Sequence, residues 1–373
     1  MLKLAIIPES NEFFKDSISR LDQLLVAQER RSRLISIADN KELLISSKGK
    51  VQANGFSYIT TALAETCRAA CPGLWKLVND LSGIYNSTPP DQVQVNAAIS
   101  TFNAVVGARF SERLYGRTVV ANDDSHTYEG ILGPSYQHLP NLNLFDILRQ
   151  VSDGFGADLC YAMTVGRRIR FVFCWPIKVS VSYLDSVFSY NPGFSITNDE
   201  TGEAAVRGQP IWFNSESNLI CPRLERYERI IHTGKGFNRK LTTALHRLAV
   251  EPSRKEFIEF ESCLLKMCKS KLNLSSEDVY GEGERSKKII RFLIKCGLTR
   301  MLSSRILELT CRQGVSSKVK RGTETLLTGI MQNRHVFDLF ITILREAKAL
   351  SLQHREQAEK SAFNVLKSYG YRI

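Results

Sequence analysis

The apolar residues of this 373-residue chain change their spacing twice, and that change limits the folds open to it. Phe14, Ile18, Leu21 and Leu25, and later Val95, Ile99, Phe102 and Val106, recur every three or four residues, as on one face of a helix. Ser10 and Asp91 stand at helix N-cap positions, and a helix predicted over 57–70 stops near Pro72. Two short strand-like pieces, 34–37 and 42–46, interrupt this part. After Gly107 the character becomes β. Residues 114–121 and 127–132 read as strands around Asn122-Asp123-Asp124-Ser125, and 159–165 and 168–175 as a hairpin around Gly166-Arg167. A further hairpin is predicted from 194–197 and 204–213, and a short helix over 143–151.

Helical spacing returns at Asn238. It runs through Phe257, Phe260, Leu264 and Met267, with Pro252 at a first helical position, and again through Phe337, Phe340, Leu344 and Ala347. Residues 286–311 are apolar around much of the helix, which predicts burial in a bundle or an oligomer interface. The order implies an α+β fold in three parts. These are a mainly helical segment at 1–108, an antiparallel core with short helices at 109–237, and a basic helical domain at 238–373.

Charge follows the same division. Of the net +12, residues 1–108 carry +1, residues 109–222 carry −3 and residues 223–373 carry +14. A one-sided excess of this kind is the electrostatic footprint of a polyanion binder. Three basic clusters are candidate phosphate contacts: Arg167, Arg168 and Arg170 at a hairpin tip; Arg223, Arg226, Arg229, Lys235, Arg239 and Lys240 leading into a helix; and Lys318, Lys320 and Arg321 in a loop. Residues 109–222 hold 16 of the 34 aromatic residues, and Tyr161, Phe171, Phe173 and Trp175 are candidate base-stacking platforms.

Catalytic patterns are scarce. His232-Thr233-Gly234-Lys235-Gly236 lacks the spacing of a P-loop and reads as a sharp turn whose backbone N–H groups can face a phosphate beside Lys235. There is no His-Glu-x-x-His, Cys-x-x-Cys or Gly-x-Ser-x-Gly, and Cys67 and Cys71 lack the partners a zinc site needs. No catalytic residue, metal or cofactor is assigned, and an enzyme built from carboxylates assembled in space stays open. The opening apolar run stops at Pro8, no stretch nears the ~20 apolar residues of a membrane span, and nine scattered cysteines imply reduced thiols. A cytoplasmic protein that does not enter a membrane is expected.

Three segments carry a resemblance: Gly130-Ile-Leu-Gly-Pro-Ser-Tyr136-Gln-His-Leu-Pro-Asn141; Ile196-Thr-Asn-Asp-Glu-Thr-Gly202 leading to Cys221-Pro222; and Ile231-His232-Thr-Gly234. Their order and spacing resemble the phage- and plasmid-related family catalogued as domain of unknown function 932, over roughly residues 110–245. Ser135 replaces the family's Arg before the Tyr, no Asn follows Cys221, and Ile231 replaces the Arg before the His. The resemblance implies origin on a mobile element in a bacterial host cell, and no settled activity. Its motif positions here are Tyr136, Asn141, Gly202, Cys221, His232 and Gly234.

Two classes of function fit these features. The first is binding of single-stranded nucleic acid, DNA before RNA, with annealing or protection of the strand in recombination or replication and with a homo-oligomeric assembly. The second is an oligomeric structural or host-interaction protein in which the basic charge has no nucleic-acid role. Convergence of the basic clusters on one groove separates the two.

Overall fold

The structure, a computed structural model, describes residues 11–14, 18–36, 44–45, 51–53, 56–58, 100, 117–202, 205–224, 227–234, 236–274, 283–312, 334–350 and 352–371. Among these, the strands are β1 (Asn11–Phe14), β2 (Ser32–Ser36), β3 (Leu44–Ile45), β4 (Val51–Ala53), β5 (Phe56–Tyr58), β6 (Thr118–Asn122), β7 (Thr127–Leu132), β8 (Asp158–Val165), β9 (Arg168–Cys174), β10 (Val179–Tyr183), β11 (Ser186–Asp199), β12 (Val206–Asn214), β13 (Leu219–Pro222) and β14 (Glu228–Ile230). The helices are α1 (Ile18–Arg31), α2 (Asn141–Phe155), α3 (Phe237–Leu248), α4 (Arg254–Lys269), α5 (Glu284–Lys295), α6 (Arg300–Arg312), α7 (Val336–Ala349) and α8 (Leu352–Ser368).

The fold is α+β, built on two sheets. The larger is antiparallel in the order β1-β8-β9-β11-β12-β13, with β10 also paired to β11 and β14 to β12. The smaller runs β2-β6-β7-β5-β4-β3, and only its β5–β7 pair is parallel. Strand alternation divides the core. On β9, Ile169, Phe171 and Phe173 face one way and pack with Leu144, Phe145 and Leu148 of α2 and Leu241 and Leu245 of α3. Val172 and Cys174 belong to a different cluster with Tyr161, Met163 and Phe213. A third cluster joins Val179, Tyr190, Trp212 and Cys221 of the sheet to Phe260, Leu264, Leu293, Ile306, Phe340 and Phe363 of the C-terminal helices. The expected boundary at 237/238 is therefore crossed by a shared apolar core.

Several expectations change. Phe14 lies on β1, not on the first helix: pairing with β8 satisfies an open sheet edge, which outweighs one more helical turn. Phe56–Tyr58 is a strand held by β4 and β7, where a helix was predicted to begin. The long helix over 286–311 is two helices, because Gly297 at φ 106° turns the chain between α5 and α6. Leu293, Ile306, Leu307 and Cys311 go into the shared core, so the apolar surface read as bundle or interface is largely used within the chain. Pro252 precedes α4 instead of starting it. The cap is Ser253, whose hydroxyl accepts from the Glu256 N–H while the Glu256 carboxylate accepts from the Ser253 N–H. The β10–β11 hairpin, β13 and β14 were not anticipated. Of the helix expected from Asp91 through Val106, residue 100 alone is described, and it is helical; the Cys67–Cys71 pair and the loop at 316–322 lie outside the described residues.

Candidate nucleic-acid interface

The three motif segments meet. Tyr136, in the loop between β7 and α2, stacks on His232 after β14, with ring centroids 4.7 Å apart. The Tyr136 hydroxyl donates to the Asp199 carbonyl at 3.3 Å, and the Gln137 N–H donates to the His232 carbonyl at 2.6 Å. Gly202 closes the β11–β12 turn at φ 81°, where a Cβ would stand 2.8 Å from Leu132 Cδ2. Gly130 lets β7 pass the Thr201 backbone, since a Cβ there would come within 2.6 Å of its Cα. Cys221 is buried in the shared core, and Gly234 adopts φ 84° in the turn before α3.

A polar network fixes this junction. Asn141 Nδ2 donates to the Arg167 carbonyl at 2.9 Å, and Asn141 Oδ1 accepts from Asn198 Nδ2 at 2.8 Å. Pro140, at the cap of α2, has no side chain that can accept, so the Glu200 carboxylate takes the Asn141 N–H and meets the positive helix end. Arg167 is the centre. Its guanidinium pairs with Glu129, contacts Glu200 at 3.4 Å, and donates to the Gln28 carbonyl at 2.8 Å and to Ser32 Oγ at 2.5 Å. One side chain thereby joins α1, β2, β7 and the β11–β12 turn.

His232 Nδ1 donates to the Gln137 carbonyl, 3.2 Å away, while Nε2 of His232 and of His138 is buried without a hydrogen-bond partner among the described residues. Burial pushes His138 down to about 4, aided by the positive charge of Arg167 and by His232. Burial also lowers His232, against the opposing effects of the Gln137 carbonyl and Asp199. A folded-state value below the free value means that the folded protein binds fewer protons. His138 therefore contributes full stability above about pH 6.5, and that contribution is lost as pH falls toward about 4. Melting temperature should fall across this window, and His138→Gln should flatten the fall. An equal fall in both proteins would contradict this.

The basic residues divide sharply. Arg167 is in the network above. Arg168 pairs with Asp199 at 2.6 Å, and Arg170 is buried against Glu359 at 2.7 Å. The hairpin tip is thus a structural ion-pair site, and these three side chains are committed to carboxylates. Arg223 is also buried: its Nη2 donates to the Val250 carbonyl at 2.9 Å, Glu256 lies 4.0 Å from its Nε, and burial lowers its pKa. It is not a surface contact. Arg226, Lys235, Lys318, Lys320 and Arg321 lie outside the described residues. Tyr161, Phe171, Phe173 and Trp175 are all buried, because both faces of the large sheet are covered, and none offers a stacking surface.

Arg229, Arg239 and Lys240 do come together. They line an open cleft of about 530 Å³ between β14 and α3, with Ile231, Thr233, Thr243 and Arg247. The sequence reading missed Arg247, one turn and more along α3 on the same side; helical spacing from Arg239, Lys240 and Thr243 would have found it. Glu228 is the acidic residue of the lining, and Arg247 lies 3.5 Å from it. Arg229, Arg239 and Lys240 have no acidic partner among the described residues. His232 lies between Ile231 and Thr233 in the chain, so the motif junction positions one wall of the cleft.

Register places Arg229 opposite Arg207, whose charge is offset by Glu356 at 3.0 Å. One feature of the cleft is costly without an anion. The α3 helix begins at Gly236, in the left-handed region with no side-chain cap. Its first turn holds no acidic residue. Arg239 and Lys240 therefore sit at the positive helix end, where a cation is unfavourable by about 0.3–1 kcal/mol. Among the described residues no group of three metal-ligating side chains assembles, and no helix is long and apolar enough to cross a membrane. Comparison of the chain with family models, with curated proteins and with solved structures returns no match.

Proposed function

We propose that the protein binds single-stranded nucleic acid, DNA in the first place, through the β14–α3 cleft. Annealing or protection of the strand is the role that follows from such binding, and a phage or plasmid in a bacterial cytoplasm is the setting that the motif resemblance favours. The observation that carries the reading is the convergence of Arg229, Arg239, Lys240 and Arg247 on one open cleft at an uncapped helix N-terminus. The three clusters do not converge as such, because the first is committed to carboxylates and the third lies outside the described residues; the reading rests on the second cluster joined by Arg247. The first two basic clusters contribute unequally: one is structural, and the second supplies the cleft without Arg223.

The test is fluorescence anisotropy of labelled single-stranded DNA, duplex DNA and single-stranded RNA across a salt series. Four phosphate contacts predict a log–log salt slope of about 3 for a single strand. Replacing Arg229, Arg239 and Lys240 together by Gln should weaken binding about 100-fold, at about 1 kcal/mol each, and reduce the slope by about 2. These side chains are exposed, and two of them are cations at a positive helix end, so unfolding temperature should hold or rise. Absence of binding at low salt, or unchanged affinity in the triple variant, would overturn the proposal.

A further inference from the structure

Exposure alternates along β14 and its flanking residues: Tyr227 before the strand, Arg229 within it and Ile231 after it are exposed, while Glu228 is half-buried and Ile230 buried. Tyr227 and Ile231 are each 54% exposed. Among the described tyrosines whose burial is defined, Tyr227 is the exposed one; Tyr128, Tyr161, Tyr183, Tyr190 and Tyr371 are buried. It makes no ring contact with a described residue. An exposed phenol and an exposed isoleucine on both sides of an arginine that lines a cationic cleft form a surface of apolar faces interleaved with positive charge.

We propose that Tyr227 is the base-stacking residue of this interface and that it makes the interface selective for unpaired strands. The inference rests on the cleft reading above. Phosphates on Arg229, Arg239 and Lys240 place the sugar and base of a flexible strand beside β14. A phenol ring there can cover one face of a base, whatever its identity, because every base has a π-face. In a duplex both faces of each base are already covered by neighbours, so the ring gains nothing. Ile231 excludes water on the other side of Arg229, which strengthens the charge contact. The four buried aromatics named in the sequence analysis cannot serve in this way, whereas Tyr227 immediately precedes the strand that carries a cleft cation.

The experiment compares Tyr227→Ala and Tyr227→Phe with the unaltered full chain on single-stranded DNA, on duplex DNA and on a single strand containing one abasic position. Tyr227→Ala should weaken single-strand binding roughly 10- to 100-fold with the salt slope unchanged, since a stacking contact releases no counterion. Tyr227→Phe should bind like the parent, because the ring is kept. Duplex affinity should not move. The parent should lose affinity for the abasic strand, and Tyr227→Ala should be indifferent to it. If Tyr227→Ala binds single strands as the parent does while the triple Gln variant does not, stacking is wrong and the cleft stands. If the parent binds no nucleic acid, both readings fail. If Tyr227→Ala changes only the sedimentation behaviour, the exposed phenol belongs to a contact between protein copies and the stacking role is overturned.

Discussion

Glu359→Ala is expected to destabilise the protein by about 3–5 kcal/mol, near the limit for a single substitution. The Glu359 carboxylate, 2% exposed, lies between two guanidinium groups that are each 1% exposed: Arg170 Nη1 at 2.7 Å and Arg355 Nε at 2.8 Å. Arg170 also donates to Ser195 Oγ at 3.2 Å, and Arg355 sits over the Tyr161 ring at 5.8 Å. Burial works against the Arg355 charge, but Glu359 and Tyr161 outweigh it and its pKa stays raised. Removing the one carboxylate leaves two buried cations facing each other, and α8 loses its ionic tie to β9. Urea unfolding measures the loss, and a change under 1 kcal/mol would refute the account. Replacing Arg170, Glu359 and Arg355 together by apolar residues of similar volume should cost much less, since the expense lies in unpaired buried charge and not in the missing pair.

Arg167→Ala should cost a similar amount, about 3–5 kcal/mol, for the mirror-image reason. It strands two carboxylates, Glu129 and Glu200, and empties the contacts to the Gln28 carbonyl and Ser32 Oγ. Arg167→Lys should recover only part of the loss, because a single ammonium cannot reproduce the fork that reaches four acceptors. The deficit should depend on pH with a definite sign. Burial already raises Glu200 above 4.5, and the Arg167 charge and the Asn141 N–H hold that rise in check. Without Arg167 the folded-state pKa climbs further. A raised carboxylate pKa means that stability present at low pH is lost as pH rises through the folded value. The difference between parent and variant should therefore be larger at pH 8 than at pH 5. A deficit that grows with acidity would contradict the role given to Glu200.

These two arginines show how far sequence reading reached. Arg167 and Arg170 sit with Arg168 in a cluster of three cations around a two-residue turn, which is what a phosphate-binding hairpin tip looks like in sequence. Their counter-charges are far away in the chain: Glu129 and Glu200 for Arg167, Asp199 for Arg168, and Glu359, 189 residues on, for Arg170. A local charge count cannot register such partners. The hairpins over 159–175 and 194–213 were legible because turn residues and alternation are local signals. Gly297 was not read as a break because the apolar pattern continues across it. The stacking candidates failed because alternation identifies two faces of a strand without saying that both are covered.

What the sequence determined alone was whatever depends on neighbours within about ten residues. That includes the α+β class, the positions of the central hairpins, the helical character of the C-terminal part, and the concentration of positive charge there. It also marked the three segments around Tyr136, Gly202 and His232 as a group. Tertiary structure decided which cations stay free. Burial desolvates a guanidinium and requires a carboxylate beside it, so Arg167 and Arg170 became internal ties, and Arg223 was drawn in toward Glu256. Arg229, Arg239 and Lys240 stayed at the surface, because β14 is an edge strand and α3 packs through Leu241, Ala244 and Leu245 on its opposite face.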